Sequence, residues 1–249
     1  MDRIKGIFRG AGDFLRKAPI ASSLMLACAV GIAVTTAVVG ENALTTAPLY
    51  VSLLIGVLMS TANRYANLLG SINCIFYTIV YIYFGLYAQA AQALLVSCPL
   101  QMITFIRWNR RAYKSSTEFR SLGAWRLVAI LGASVLAYAL IMLLLNATDA
   151  SYPYLDNAIT VLSTAQTVLA LLSFREFTWF GVPVCVLLVV LDIVMIPASP
   201  IRIAYLIYSV HALICGVRQF ISVQRIYKEQ GLAAAADAAG IPSPKDPLC

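Results

Sequence analysis

Charge is what this chain has least of. Only 12% of its 249 residues are Asp, Glu, Lys or Arg, about half the share usual in soluble domains. Apolar residues make up 61%, and mean hydropathy is +0.83. So little charge cannot cover a soluble surface, which excludes a cytosolic enzyme or a nucleic-acid binder. Histidine is nearly missing: His211 stands alone, and one imidazole without paired cysteine spacings completes no metal set. No Gly-x-x-x-x-Gly-Lys-Ser/Thr loop occurs, so the chain carries no ATP-driven motor of its own. Cys28, Cys74, Cys98, Cys185 and Cys215 lie inside apolar runs, as small buried hydrophobes do, not as a disulfide framework. No cofactor is expected.

What the chain has is long apolar runs. A helix needs about 20 apolar residues to cross a hydrocarbon core, and eight stretches approach that length. They are Ile20–Val39, Thr46–Ala62, Leu68–Phe84, Ala88–Ile106, Leu127–Leu145, Leu155–Ser173, Trp179–Ile196 and Ile201–Val223. The breaks between them are turn-forming, charged or proline-bearing: Gly40-Glu41-Asn42, Asn63-Arg64, Gly85, Asn146 to Pro153, Arg175-Glu176 and Pro197 to Pro200. If all eight span with both termini cytoplasmic, every one of the 18 Lys and Arg residues except Arg202 falls on one side, as the positive-inside rule requires. Seven or nine spans break that alternation. The reading is an all-α polytopic protein of the inner (plasma) membrane, with the lipid bilayer as its surroundings.

The ends are read differently. Ile4, Ile7, Phe8, Ala11 and Leu15 recur at helical spacing among basic residues, predicting an amphipathic helix on the inner surface over residues 1–19. The first apolar run exceeds a signal-peptide core, so residues 20–45 are expected to stay as an extra N-terminal helix. From Gly231 the chain is small, polar and proline-broken, which predicts a flexible cytoplasmic tail within residues 224–249. Cys249 is the last residue and forms no prenylation box.

The middle of the chain resembles itself. At an offset of 111 residues Arg64 meets Arg175, Gly70 meets Gly181, Cys74 meets Cys185, Ala93 meets Ala204 and Arg107 meets Arg218. Twelve identities fall among the 61 pairs from Ala47 to Arg107, against roughly five by chance. Two three-helix bundles, residues 46–107 and 155–223, follow from this, joined by a basic loop and one linker helix in residues 108–154. The odd linker makes the two bundles run in the same direction, a 3+1+3 plan known among transporters. The alternative is that two apolar bundles merely look alike.

Polar groups at bilayer depth are costly and usually face a cavity or a partner helix. Asn73, Tyr77 and Tyr81 share one face of the third span with Asn67 at its mouth, and the fourth carries Gln89, Gln92, Ser97 and Gln101. The sixth bears Thr160, Ser163, Thr164, Gln166 and Thr167, and the eighth Tyr205, Tyr208 and Ser209. Asp192 sits mid-span in the seventh with no basic residue in its own helix, which predicts a cavity-facing or paired carboxylate. Plainer readings stand beside these: hydroxyls as packing glue, Tyr81 and Tyr83 in an interfacial belt, His211 as a hydrogen-bonded packing residue. The span interiors show no Lys or Arg clamp for phosphate, so a nucleotide is disfavoured. Amides and rings suit a small, polar, partly aromatic and weakly charged guest.

These residues also resemble a family. Asn63-Arg64-Tyr65-Ala66-Asn67-Leu68-Leu69-Gly70, then Tyr77, Gly85-Leu86-Tyr87-Ala88 and Gln92, look like the first half of the PnuC nicotinamide riboside transporters and their vitamin-transporting relatives. The likeness is best from Asn63 to Asn109, where Trp108-Asn109 matches the aromatic close of the first bundle, and weaker from Arg175 to Gln219. The resemblance implies a SWEET-like fold and a passive facilitator, with a cytosolic kinase trapping the vitamin by phosphorylation. It also implies tryptophan and amide side chains in the second bundle. The paired tryptophans are missing here, Gly181 and Pro183 stand nearby, and Trp179 is the near counterpart.

The expected pocket is Asn73, Tyr77, Gln92, Trp179, Asp192, Tyr205 and Tyr208, with Asn67 and Gln101 beside them. The expected substrate is nicotinamide riboside, with thiamine or riboflavin as alternatives. Proton coupling through Asp192 or His211 stays open, as does assembly into a homo-oligomer. An intramembrane enzyme lacks a nucleophile–base set, and a membrane assembly factor predicts no cavity between bundles.

Overall fold

A computed structural model describes residues 19–40 and 43–238. Among the described residues there are eight helices: α1 (Pro19–Val39), α2 (Ala43–Ser60), α3 (Tyr65–Tyr83), α4 (Tyr87–Arg110), α5 (Ala124–Leu145), α6 (Pro153–Leu171), α7 (Phe177–Met195) and α8 (Arg202–Ala238). Each expected apolar run is one helix, with bounds moved by a few residues except at the end of α8. Six are long and apolar enough to cross a membrane. The other two are informative: α2 is apolar but shorter, and α6 carries a row of hydroxyls and an amide that it turns inward. The amphipathic segment expected before residue 19 lies outside the described residues.

One expectation fails at α8. The stretch from Gly231, read as a flexible tail, is helical as far as Ala238. Its run of alanines has the highest helix propensity of any residue type, and the span feeding into it supplies the nucleus. The chain beyond Ala238 lies outside the described residues.

Proline lies inside three of the helices: Pro48 in α2, Pro99 in α4 and Pro183 in α7. Pro99 lacks an N–H and its ring would strike the carbonyl of Leu95. The preceding segment, Gln92–Ser97, widens into a π-helix that relieves the crowding, and such segments often sit at functional sites. Pro183 lies inside α7 without breaking it.

Helix α5 buries only Leu145 fully and packs chiefly on α6. Two buried clusters tie the rest together. At the basic end, Trp108, Phe119 and Phe177 meet edge-on or stacked at centroid distances of 5.6–6.1 Å, and the Trp108 Nε1–H donates to the Ala170 carbonyl at 2.8 Å. At the opposite end, Phe84, Leu86, Leu191, Met195, Ile201 and Tyr205 pack together.

The turns before α3 and α7 share one geometry at the 111-residue offset. Ala62 has φ 52° and Ser173 φ 60°, a left-handed conformation that costs a non-glycine residue roughly 1–2 kcal/mol. Ala62 and Ser173 N–H bond to Met59 and Ala170 carbonyls, and Asn63 and Phe174 to Leu58 and Leu169. Even the tether is shared: the N–H of Arg64 donates to Ser115 and that of Arg175 to Arg120. Both tethers end on the loop between α4 and α5, a short hairpin pairing Ala112–Tyr113 with Ser116–Thr117. Glu176 fastens the same loop from the other side, accepting from the Leu122 N–H at 3.0 Å and the Ser121 hydroxyl at 3.1 Å.

Candidate functional site

A cavity of about 250 Å³ runs between the helices, just under the ~300–1,000 Å³ typical of drug-sized ligand sites. That is room for a small metabolite. Among the described residues its walls come from α2, α3, α4, α6, α7 and α8, while α1 and α5 contribute none.

Eight of the nine expected pocket residues line it: Asn67, Asn73, Tyr77, Gln92, Gln101, Asp192, Tyr205 and Tyr208. Trp179 does not. It lies on the outer face of α7, 45% exposed, because its position in the helical turn points it away from the face shared by Leu188, Leu191 and Asp192. Trp179 is therefore removed from the pocket. The aromatic wall is built from tyrosine instead. Tyr77 stacks on Tyr81 with centroids 5.4 Å apart, and Tyr208 tilts against Tyr77 at 6.5 Å. Tyr81 thus joins the cavity wall, not an outer belt.

Hydrogen bonds hold this wall in place. Asn73 Nδ2 donates to Ser52 Oγ at 2.7 Å and to the Pro48 carbonyl at 3.2 Å, and Ser52 Oγ donates to Tyr77 Oη at 2.9 Å. Asn73 Oδ1 is left buried without a partner. On α4, Gln92 Nε2 donates to Ser97 Oγ at 2.7 Å across the π segment. The offset glycines each lie under a glutamine amide. A Cβ on Gly70 would stand 2.0 Å from Gln101 Oε1, and one on Gly181 3.0 Å from Gln166 Nε2. Glycine is required at Gly70 for the amide to lie so low. Cys74 accepts from Gln101 Nε2 at 3.6 Å, and Cys185, its offset counterpart, donates to the Ala212 carbonyl at 3.7 Å.

His211 lies off the cavity lining. It is fully buried between α2 and α8 beside Cys215, its Cε1 2.9 Å from where a Gly56 Cβ would stand. Its Nε2 lies 3.5 Å from Cys215 Sγ, and its Nδ1 is buried without a partner.

Arg202 corrects the reading that the span interiors hold no Lys or Arg clamp. The charge count sets it opposite the other basic residues, at the outer end of the eighth span. It is instead 2% exposed in the first turn of α8, lining the cavity. Its Nη1 donates to Asp192 Oδ1 at 3.0 Å, and its guanidinium stacks 3.7 Å over Phe84 and 5.0 Å from Tyr205. Ser209 donates to the other oxygen of Asp192, and Tyr205 donates to the Thr45 carbonyl. A buried charge needs a partner, and the hairpin through Pro197 and Pro200 supplies one by folding α8 back on α7. Ten residues separate the two partners, a signal visible only once that hairpin is drawn.

Comparison with known proteins follows the same lines. Residues 42–218 match the family model described as nicotinamide mononucleotide transporter. Among solved structures, one titled "Crystal structure of the Vitamin B3 transporter PnuC" superposes with a TM-score of 0.71 at 21% identity, covering 84% of this chain and 92% of that one. At that identity the likeness speaks for the fold. No curated protein matches the chain.

Proposed function

The chain belongs to the nicotinamide mononucleotide transporter family, and from that premise we propose that it carries nicotinamide riboside across the plasma membrane. The observation that supports this most is the cavity itself, walled by tyrosine rings and amides with, among the described residues, a single, already paired cation. Rings stack on a flat heterocycle, and amides bond a carboxamide. Arg202 is neutralised by Asp192, so a phosphate would bring an uncompensated negative charge into a buried site. That favours the riboside over the mononucleotide. The unused donors of Arg202 are what favour the mononucleotide as the second reading.

The proposed pocket is Asn67, Asn73, Tyr77, Gln92, Gln101, Asp192, Tyr205 and Tyr208. We place α2–α4 and α6–α8 as two parallel bundles around the linker α5, with α1 as the extra helix and both termini in the cytoplasm. The recurring turns at Ala62 and Ser173 support the repeat. Transport is by alternating access of the bundles around a fixed site, passive, with a cytosolic kinase trapping the product. Tyr77 tests the pocket directly. Tyr77→Ala is expected to weaken riboside binding by about 1–3 kcal/mol, the scale of one base–aromatic stack, while Tyr77→Phe keeps most of it. Titration of purified protein with riboside decides, and wild-type affinity in Tyr77→Ala takes the pocket away.

A further inference from the structure

Arg202 uses only one of its faces. Nη1 holds Asp192 at 3.0 Å, whereas Nε and Nη2 are buried and bond to nothing. Those two nitrogens form the side-on edge of the guanidinium, two parallel N–H groups set to engage two acceptor atoms at once. Leaving such donors unsatisfied in a buried site is costly, so the edge points to a ligand that supplies both acceptors.

Charge decides which ligand. A carboxylate or phosphate would fill the fork, but the cation is already balanced by Asp192 and a second anion would be buried unpaired. A vicinal diol supplies two neutral oxygens instead. Its hydroxyl hydrogens also need acceptors. The carboxylate of Asp192 accepts one bond at each oxygen, from Arg202 and Ser209, and a carboxylate has about four acceptor sites. Phe84 and Tyr205 flank the guanidinium and hold its plane.

We propose that Arg202, with Asp192, is a vicinal-diol subsite that selects substrates carrying a sugar ring. This rests on the riboside reading above and adds a specificity-determining residue to it. The edge is screened from water, so the diol reaches it as the Tyr205 end of the cavity rearranges.

The test uses the full-length protein in lipid nanodiscs and three probes: nicotinamide riboside, its 2′,3′-dideoxy analogue and nicotinamide mononucleotide. The wild type is expected to bind the riboside on the order of tenfold or more tighter than the dideoxy analogue, because the analogue leaves both donors unpaired. Arg202→Lys keeps the ion pair and loses the fork. It is expected to bind the two ribosides alike. Equal wild-type affinities for riboside and analogue overturn the diol subsite alone, and so does discrimination retained in Arg202→Lys. Mononucleotide bound more tightly than riboside overturns it in favour of an oxyanion. A wild type that binds no riboside overturns the functional reading and the subsite together.

Discussion

Asp192→Ala is expected to lower the stability of the folded protein by about 3–5 kcal/mol, the cost of stranding one member of a buried ion pair. Both side chains are almost wholly enclosed, at 3% and 4% exposure. Removing the carboxylate leaves the Arg202 guanidinium with no anion and the Ser209 hydroxyl without its acceptor. The double variant Asp192→Ala, Arg202→Leu removes the stranded charge, and an apolar pair often matches or exceeds a buried ionic one in stability. It is expected to recover much of the loss, so the two single changes are strongly non-additive. Thermal unfolding in detergent measures this. A midpoint for Asp192→Ala equal to wild type would remove the pair from the account, as would a double variant that melts below both singles.

Asp156→Ala is the second large effect. Asp156 is fully buried on α6, yet it serves α4: its two carboxylate oxygens accept the N–H groups of Ala88 and Gln89 at 2.9 and 3.0 Å. A helix start leaves its first N–H groups without intrahelical partners, and here no side chain within α4 caps them. A carboxylate from another helix does so, aided by the positive end of the helix dipole. Alanine would orphan both donors in a dry site, at about 1–3 kcal/mol for each buried unpaired group. Asp156→Asn keeps one acceptor oxygen and should lose about half as much. Unfolding midpoints rank the three proteins, and Asp156→Ala melting with wild type would contradict the cap. The contact also explains why α4 begins where it does, at Tyr87, two residues after the left-handed Gly85 at φ 67°.

The helices were legible because hydrophobic length and basic loops are one-dimensional signals. The breaks at Asn63-Arg64 and Arg175-Glu176 coincide with turns in the structure, and every apolar run is one helix. Facing was less legible. Asn73 and Tyr77 lie one turn apart and share a wall, as their spacing required. Trp179 had the right neighbours in sequence but the wrong phase on α7, and a single helix does not reveal which side its partners occupy. Arg202 was hidden for a different reason. Counting charges by loop assigns it to a surface, whereas the short hairpin after Pro197 carries it beneath Phe84 and against Asp192. Asp156 was unreadable as a cap because its donors sit 68 and 67 residues away.

The most direct test of the central claim is riboside flux through purified protein in sealed vesicles. Labelled nicotinamide riboside should enter saturably and stop when inside and outside concentrations are equal, unaffected by added ATP or an imposed pH gradient. It should accumulate further only when a riboside kinase and ATP are sealed inside. Entry no faster than in protein-free vesicles would contradict the account. So would accumulation above equilibrium driven by the pH gradient and lost in Asp192→Asn, which would make the protein a proton symporter.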